Sequence, residues 1–218
     1  MKRNELVWRE LVDAAIERDQ RRWDNIEDLA FRAGVAPTTA AYALRRQIEI
    51  GAVQQHHAGF TLVNPQKALT SLSAARSIMS DALAVVTLSA ADLADLRTST
   101  IEKGFIDGGA AAAIDLLGGT NTVSDYSEYV VYLRDEGVAA AVNEQLTAMD
   151  VEHHTGYGRD RGNVTFLRAD KRASRTWQKY TSFAQTYADL FATPGWQASE
   201  FRLALEGKFL GKRDWDQE

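Results

Sequence analysis

The chain is punctuated most tightly between Asp24 and Gly51, and that punctuation allows little except two short helices joined by a sharp turn. Asp24 reads as an N-cap, with Glu27 three residues on to complete a capping box. Ile26, Leu29, Ala30 and Ala33 then supply an apolar stripe at helical spacing. Gly34 follows as a residue able to take positive φ and end the helix. Pro37 suits the first position of the next helix, where a missing N–H costs nothing. Ala40, Leu44 and Ile48 lie four apart and predict its buried face, and Gly51 closes it. Upstream, Leu6, Val7, Leu11, Ala14 and Ala15 mark the inner face of a first helix. Downstream, Val53–His56 and Phe60–Val63 alternate around His57-Ala58-Gly59, as a β-hairpin does.

Three helices followed by a hairpin is the order of a winged helix-turn-helix. The run from Leu29 to Val53 resembles bacterial regulators, with a small residue, a turn glycine and a Leu44…Gly51-Ala52-Val53 ending at matching offsets. With Ala40, Leu44 and Ile48 inside, the outward residues are Thr38, Thr39, Tyr42, Arg45, Arg46 and Glu49. Short hydroxyls at the start of such a helix suit base edges or phosphates, and arginine offers a bidentate fork to guanine. The predicted DNA-binding set is Pro37, Thr38, Thr39, Tyr42, Arg45 and Arg46, with His57 at the wing tip. The partner so implied is double-stranded operator DNA.

Charge divides the chain at this point. Residues 1–65 hold nine Lys/Arg and nine Asp/Glu, so the whole formal charge of -5 falls on the remainder. The element pattern places a winged-helix domain at 1–65, a linker helix at 66–82 and a further unit at 83–218, and the charge split predicts two units with different partners. No cysteine is present, which excludes disulfides, thiolate nucleophiles and cysteine zinc sites. No apolar run approaches the roughly 18 residues of a membrane span, and Met1–Glu5 leads into an amphipathic pattern, so a cytoplasmic location is expected.

The later residues read as mixed α/β (α+β). Asn64-Pro65 opens the linker helix, with Leu69, Leu72, Arg76 and Met79 on one face. Leu83–Val86 reads as a strand or as part of the linker, and Ser89–Asp92 as a helix start. Gly108-Gly109 precedes a small-residue helix, Ala110–Leu117, closed by Gly118-Gly119. A strand at Tyr129–Leu133, a helix at Val138–Met149 and strands at Val151–His154 and Val164–Leu167 are expected. The loop Gly156–Gly162 between the last two reads as a hairpin connection. Helices at Arg175–Ala192 and Gln197–Phe209 finish the pattern, the first with a stripe of Trp177, Tyr180, Phe183, Tyr187 and Phe191. Residues 212–218 read as frayed.

This layout, with the stretch Tyr187-Ala188-Asp189-Leu190-Phe191-Ala192-Thr193-Pro194, resembles the AbiEi-type antitoxin of type IV toxin–antitoxin (abortive-infection) systems. The resemblance implies an autoregulating DNA-binding repressor whose second domain counteracts a partner toxin, without catalysis by this chain and without a cofactor. Two alternatives stay open. Gly108-Gly109 and Asp125 before a strand are similar to the nucleotidyltransferase pattern, but Ser127 stands where the second metal-binding carboxylate belongs and Glu128 points to the other face. A degenerate form of that fold without metal, or chance spacing, fits better. A ligand-sensing winged-helix repressor is the other alternative. The histidines occur as His56-His57 and His153-His154, and neighbours on a strand face opposite ways, so neither pair chelates by itself.

Overall fold

A computed structural model describes residues 2–99, 104–119, 123, 128–154, 162–211 and 215. The chain begins with α1 (Arg3–Glu17), β1 (Arg22–Trp23), α2 (Ile26–Ala33), α3 (Pro37–Glu49), β2 (Val53–Gln55) and β3 (Phe60–Leu62). The three strands form one antiparallel sheet in the order β1-β3-β2. Then come α4 (Pro65–Ala75), α5 (Ile78–Asp81), β4 (Ala82–Val86), α6 (Ala90–Ser99), β5 (Phe105–Asp107) and α7 (Gly109–Leu116). The chain continues through β6 (Tyr129–Leu133), α8 (Glu136–Ala148), β7 (Val164–Arg168), α9 (Phe183–Ala192) and α10 (Trp196–Phe209). The second sheet has the order β4-β7-β6-β5, with β6 and β7 parallel across the α8 crossover and both outer strands antiparallel. The architecture is mixed α/β with two small sheets.

Each face of the larger sheet has its own core. Val131, Leu133, Val164 and Phe166 pack with Leu93, Leu96, Val138, Val142 and Leu146 of α6 and α8. Their alternates Val130, Tyr132 and Leu167 pack with Leu6, Ile78 and Trp177 on the other face, as the two-residue side-chain period of a strand requires. A third cluster runs from Val7 in α1 through Leu29, Leu44 and Phe60 to Leu69, Leu72, Phe183, Phe201 and Leu205. It crosses residue 65 without interruption. The helix expected as a linker over 66–82 is part of this core: α4 buries Pro65, Ala68, Leu69, Leu72 and Ser73, then stops at Ala75.

Helix α1 is buried from Glu5 to Ile16 on every side, because α2 and α3 cover one flank and α4 and α9 the other. Glu5, Arg9, Glu10 and Asp13 are buried with the apolar residues. Arg9 Nη1 donates to the Ala173 carbonyl at 3.0 Å, and Asp13 Oδ1 accepts from the Ala184 N–H at 2.9 Å. Glu17 Oε1 accepts from the Phe183 N–H at 2.8 Å. Two carboxylates of α1 therefore cap the start of α9, where unpaired N–H groups favour negative charge.

Several expectations are corrected. The cap of α2 is Asn25, whose side chain accepts from Asp28 N at 2.8 Å, one residue later than Asp24. Helix α8 starts at Glu136 because Asp135 caps it through Val138 N at 3.0 Å. Val151–His154 is no strand: only His153 makes a bridge, to Val86, and β7 pairs with β4 and β6 instead of forming a hairpin with that segment. Of the loop 156–162, only Gly162 is among the described residues. Residues 175–192 are not one helix. A short 3₁₀ turn at Ala173–Thr176 is followed by an extended stretch, in which Asp107 N donates to Lys179 O and Thr181 N to Asp107 O, both at 2.9 Å. Trp177 and Tyr180 thus precede α9, and the aromatic stripe divides between two elements.

Candidate nucleic-acid interface

Helix α3 is held from behind. Ala40, Ala43, Leu44 and Gln47 are buried, and Trp8 of α1 donates its indole N–H to the Ala43 carbonyl at 3.0 Å. Gly34, at φ +67°, ends α2 in the left-handed conformation and aims the chain into Pro37, the first residue of α3. What remains outside is the predicted face. Pro37, Thr38, Tyr42, Arg45 and Arg46 are exposed, Tyr42 to 67 %, while Thr39 is half-buried at the border. At 100° per residue Thr38, Tyr42, Arg45 and Glu49 form one stripe, with Thr39 and Arg46 beside it. Arg46 lies 3.8 Å from Glu49, a solvent-exposed pair of little energetic weight. His57 is exposed in the turn between β2 and β3, and His56 Nε2 meets Thr61 Oγ1 at 3.0 Å.

Three features around α3 have no counterpart in the spacing of residues 1–65. Strand β1 joins the hairpin as a third strand through Arg22↔Thr61 and Trp23↔Phe60. Phe31, off the apolar stripe of α2, stands 76 % exposed. The segment after β7 reaches the α2–α3 turn, where Arg175 Nη2 donates to the Arg32 carbonyl at 2.7 Å. Spacing within 1–65 gives no hint of a contact from 143 residues away.

The residues singled out in the later part have mainly structural partners. Asp189 is fully buried and accepts from Arg76 Nε at 2.8 Å, Tyr132 Oη at 2.6 Å and Gln185 Nε2 at 2.9 Å. Arg76 also reaches Asp81 Oδ2 at 2.5 Å. Burial opposes the charge on Arg76, but the Tyr132 oxygen and the Asp189 carboxylate outweigh it and hold the guanidinium protonated. Burial first, then the Asp189 charge, raises the Tyr132 phenol well above its ordinary value. Tyr187 donates to Glu206 of α10. The stretch 187–194 thus ties α9 to α4, β6 and α10.

Gly108 and Gly109 form a buried corner, not an open cradle. A Cβ on Gly108 would stand 3.0 Å from the Tyr132 ring, and Gly109 needs φ +54°. Close packing on β6 therefore accounts for both glycines. Asp125 and Ser127 lie outside the described residues. No group of three or more His, Cys, Asp or Glu among the described residues has the arrangement of a metal site. No described helix is long and apolar enough to cross a membrane.

No known family model matches the chain, and no curated protein or solved structure is significantly similar to it.

Proposed function

We propose that this chain is a DNA-binding transcriptional regulator, with residues 1–65 acting as a winged helix-turn-helix on duplex operator DNA. The observation that carries the reading is the uncovered outer face of α3, with Thr38, Tyr42, Arg45 and Arg46 presented beside an antiparallel hairpin. Support also comes from the order helix–strand–helix–helix–hairpin, in which the second of two helices joined by a glycine turn is free to enter a major groove. Arg45 and Arg46 supply the charge or the bidentate fork for guanine, Thr38 and Thr39 the short hydroxyls, and His57 a contact from the wing.

The test is selection of bound duplexes from a randomised pool, followed by titration against salt. Arg45→Ala/Arg46→Ala is expected to weaken binding and to flatten the log K against log[salt] slope by about 2. Absence of any enriched or retained duplex at low salt, with folded protein, removes the reading.

The second unit is proposed to neutralise a partner toxin, which makes the chain an autoregulating antitoxin. Phe191, Trp196 and Leu203 favour this role: they are large apolar side chains left exposed on α9 and α10. Trp196 and Leu203, seven residues apart, share one helix face. The neighbouring gene supplies the test. Co-expression should rescue growth from a nucleotidyltransferase-like toxin, and Trp196→Asp/Leu203→Asp should abolish rescue without loss of DNA binding.

A further inference from the structure

Residues 1–65 sum to zero charge, an unusual balance for a unit expected to neutralise phosphates. The fold supplies a cation from elsewhere. After β7 the chain runs as a strap, Ala169–Thr176, onto the α2–α3 turn. Asp170 fixes the strap by accepting from the Arg172 backbone N–H at 2.9 Å and from Arg172 Nε and Nη2 at 3.2 and 2.9 Å. The Arg172 stem packs on Gly34 so closely that a Cβ there would lie 2.9 Å from Arg172 Cγ. Ala173 is buried, and its carbonyl accepts from Arg9. The strap is therefore docked at both ends of its 3₁₀ turn, beside the residues that lead into Pro37.

Its charges are not equal. The Arg172 guanidinium is matched by Asp170, whose carboxyl is held below its ordinary value by the Arg172 hydrogen bonds, against the opposing effect of burial. Arg175 donates one N–H to a neutral carbonyl and has no carboxylate partner among the described residues. It is exposed. We infer that Arg175 contacts a phosphate flanking the groove that α3 enters, so that the DNA interface is built from both sides of residue 65. This inference rests on the DNA-binding reading of α3. The net charge of the second unit is negative, but Arg175 carries a cation from it to the last turn of α2.

Arg175 also satisfies a carbonyl in the last turn of α2, which by itself would be a purely structural role. Glutamine and lysine separate the two roles, since both keep an N–H donor on the side chain but only lysine keeps the charge. The experiment measures full-length protein on a mixed-sequence 30-base-pair duplex by fluorescence anisotropy, over a range of NaCl concentrations. Arg175→Gln is expected to lower the salt slope by about 1 and to weaken binding roughly 3- to 10-fold at 0.1 M salt. Arg175→Lys should keep the wild-type slope. An unchanged slope in the glutamine variant, with Arg45→Ala/Arg46→Ala still flattening it, overturns the strap contact and leaves the α3 reading standing. Absence of wild-type binding at 50 mM salt overturns both.

Discussion

Replacing Asp189 by alanine removes the acceptor at the centre of a buried network and leaves its donors behind. Arg76 is 1 % exposed at its side chain and Asp189 0 %, so no water takes over the lost contacts. Arg76 Nε and the Tyr132 hydroxyl lose their partner, and Arg76 keeps Asp81 as its only described carboxylate. Breaking a buried pair from one side costs about 3–5 kcal/mol, because the remaining charge is stranded away from solvent. For a chain of this size that is a fall of roughly 6–20 °C in the thermal midpoint. Urea unfolding followed by tryptophan fluorescence reads the loss. Arg76→Met/Asp189→Leu should cost much less than the two single changes together, with a coupling of about 2 kcal/mol. Because one core runs through α1, α4, α9 and α10, the transition should remain single in all variants. A cost below about 1 kcal/mol for Asp189→Ala, or a split transition in which residues 1–65 stay folded, would refute the reasoning.

Two further outcomes follow from α1. Burial, then the neighbouring Asp13 charge, pushes the Glu17 carboxyl up to about 7, although the residue as a whole is exposed. The folded state then holds a proton that the unfolded chain releases near 4.5, so this stabilisation is complete below about pH 4.5 and is lost as pH rises through about 7. Discounted for solvent screening, the fall is about 1 kcal/mol between pH 5 and 8, and Glu17→Gln should reduce it; an unaltered pH profile in that variant contradicts the assignment. The second outcome concerns a fragment from residue 80 onward, which lacks the α1 caps of α9 and the Arg76 partner of Asp189. Circular dichroism of residues 80–218 should show no cooperative melt, and a sharp melt near that of the full chain would overturn the shared-core account.

The parts of this fold legible in sequence are those whose signals are local. Gly34, Pro37, Asn64 and the Ser89–Asp92 box each act within four residues, and all sit where the spacing predicts. The outer face of α3 was equally legible, since burial follows the 3.6-residue period. What failed were elements decided by distant partners. The helix expected from Arg175 carries good aromatic periodicity, but backbone bonds to Asp107, some 70 residues earlier, hold residues 179–181 extended. Glu5, Arg9, Glu10 and Asp13 lie off the inner face marked by Leu6, Val7, Leu11, Ala14 and Ala15, and nothing local tells that Ala173 and Ala184 will pair with two of them. The two-residue β1 is too short to leave a period at all.

The same distinction explains how α3 is presented. A unit of about 65 residues has little surface with which to fix its own first helix, and burial rises with chain length. Here α1 is gripped by α2 and α3 on one side and by α4 and α9 on the other, and Gly34 at the turn is covered by Arg172 from beyond β7. A side chain larger than glycine at position 34 would meet two penalties together, a positive φ and a 2.9 Å contact with the Arg172 stem. The turn that aims α3 is therefore shaped jointly by its own residues and by the segment that follows β7. A shift of that segment would reach the start of α3 directly, through the Arg172 stem on Gly34 and the Arg175 bond to the Arg32 carbonyl.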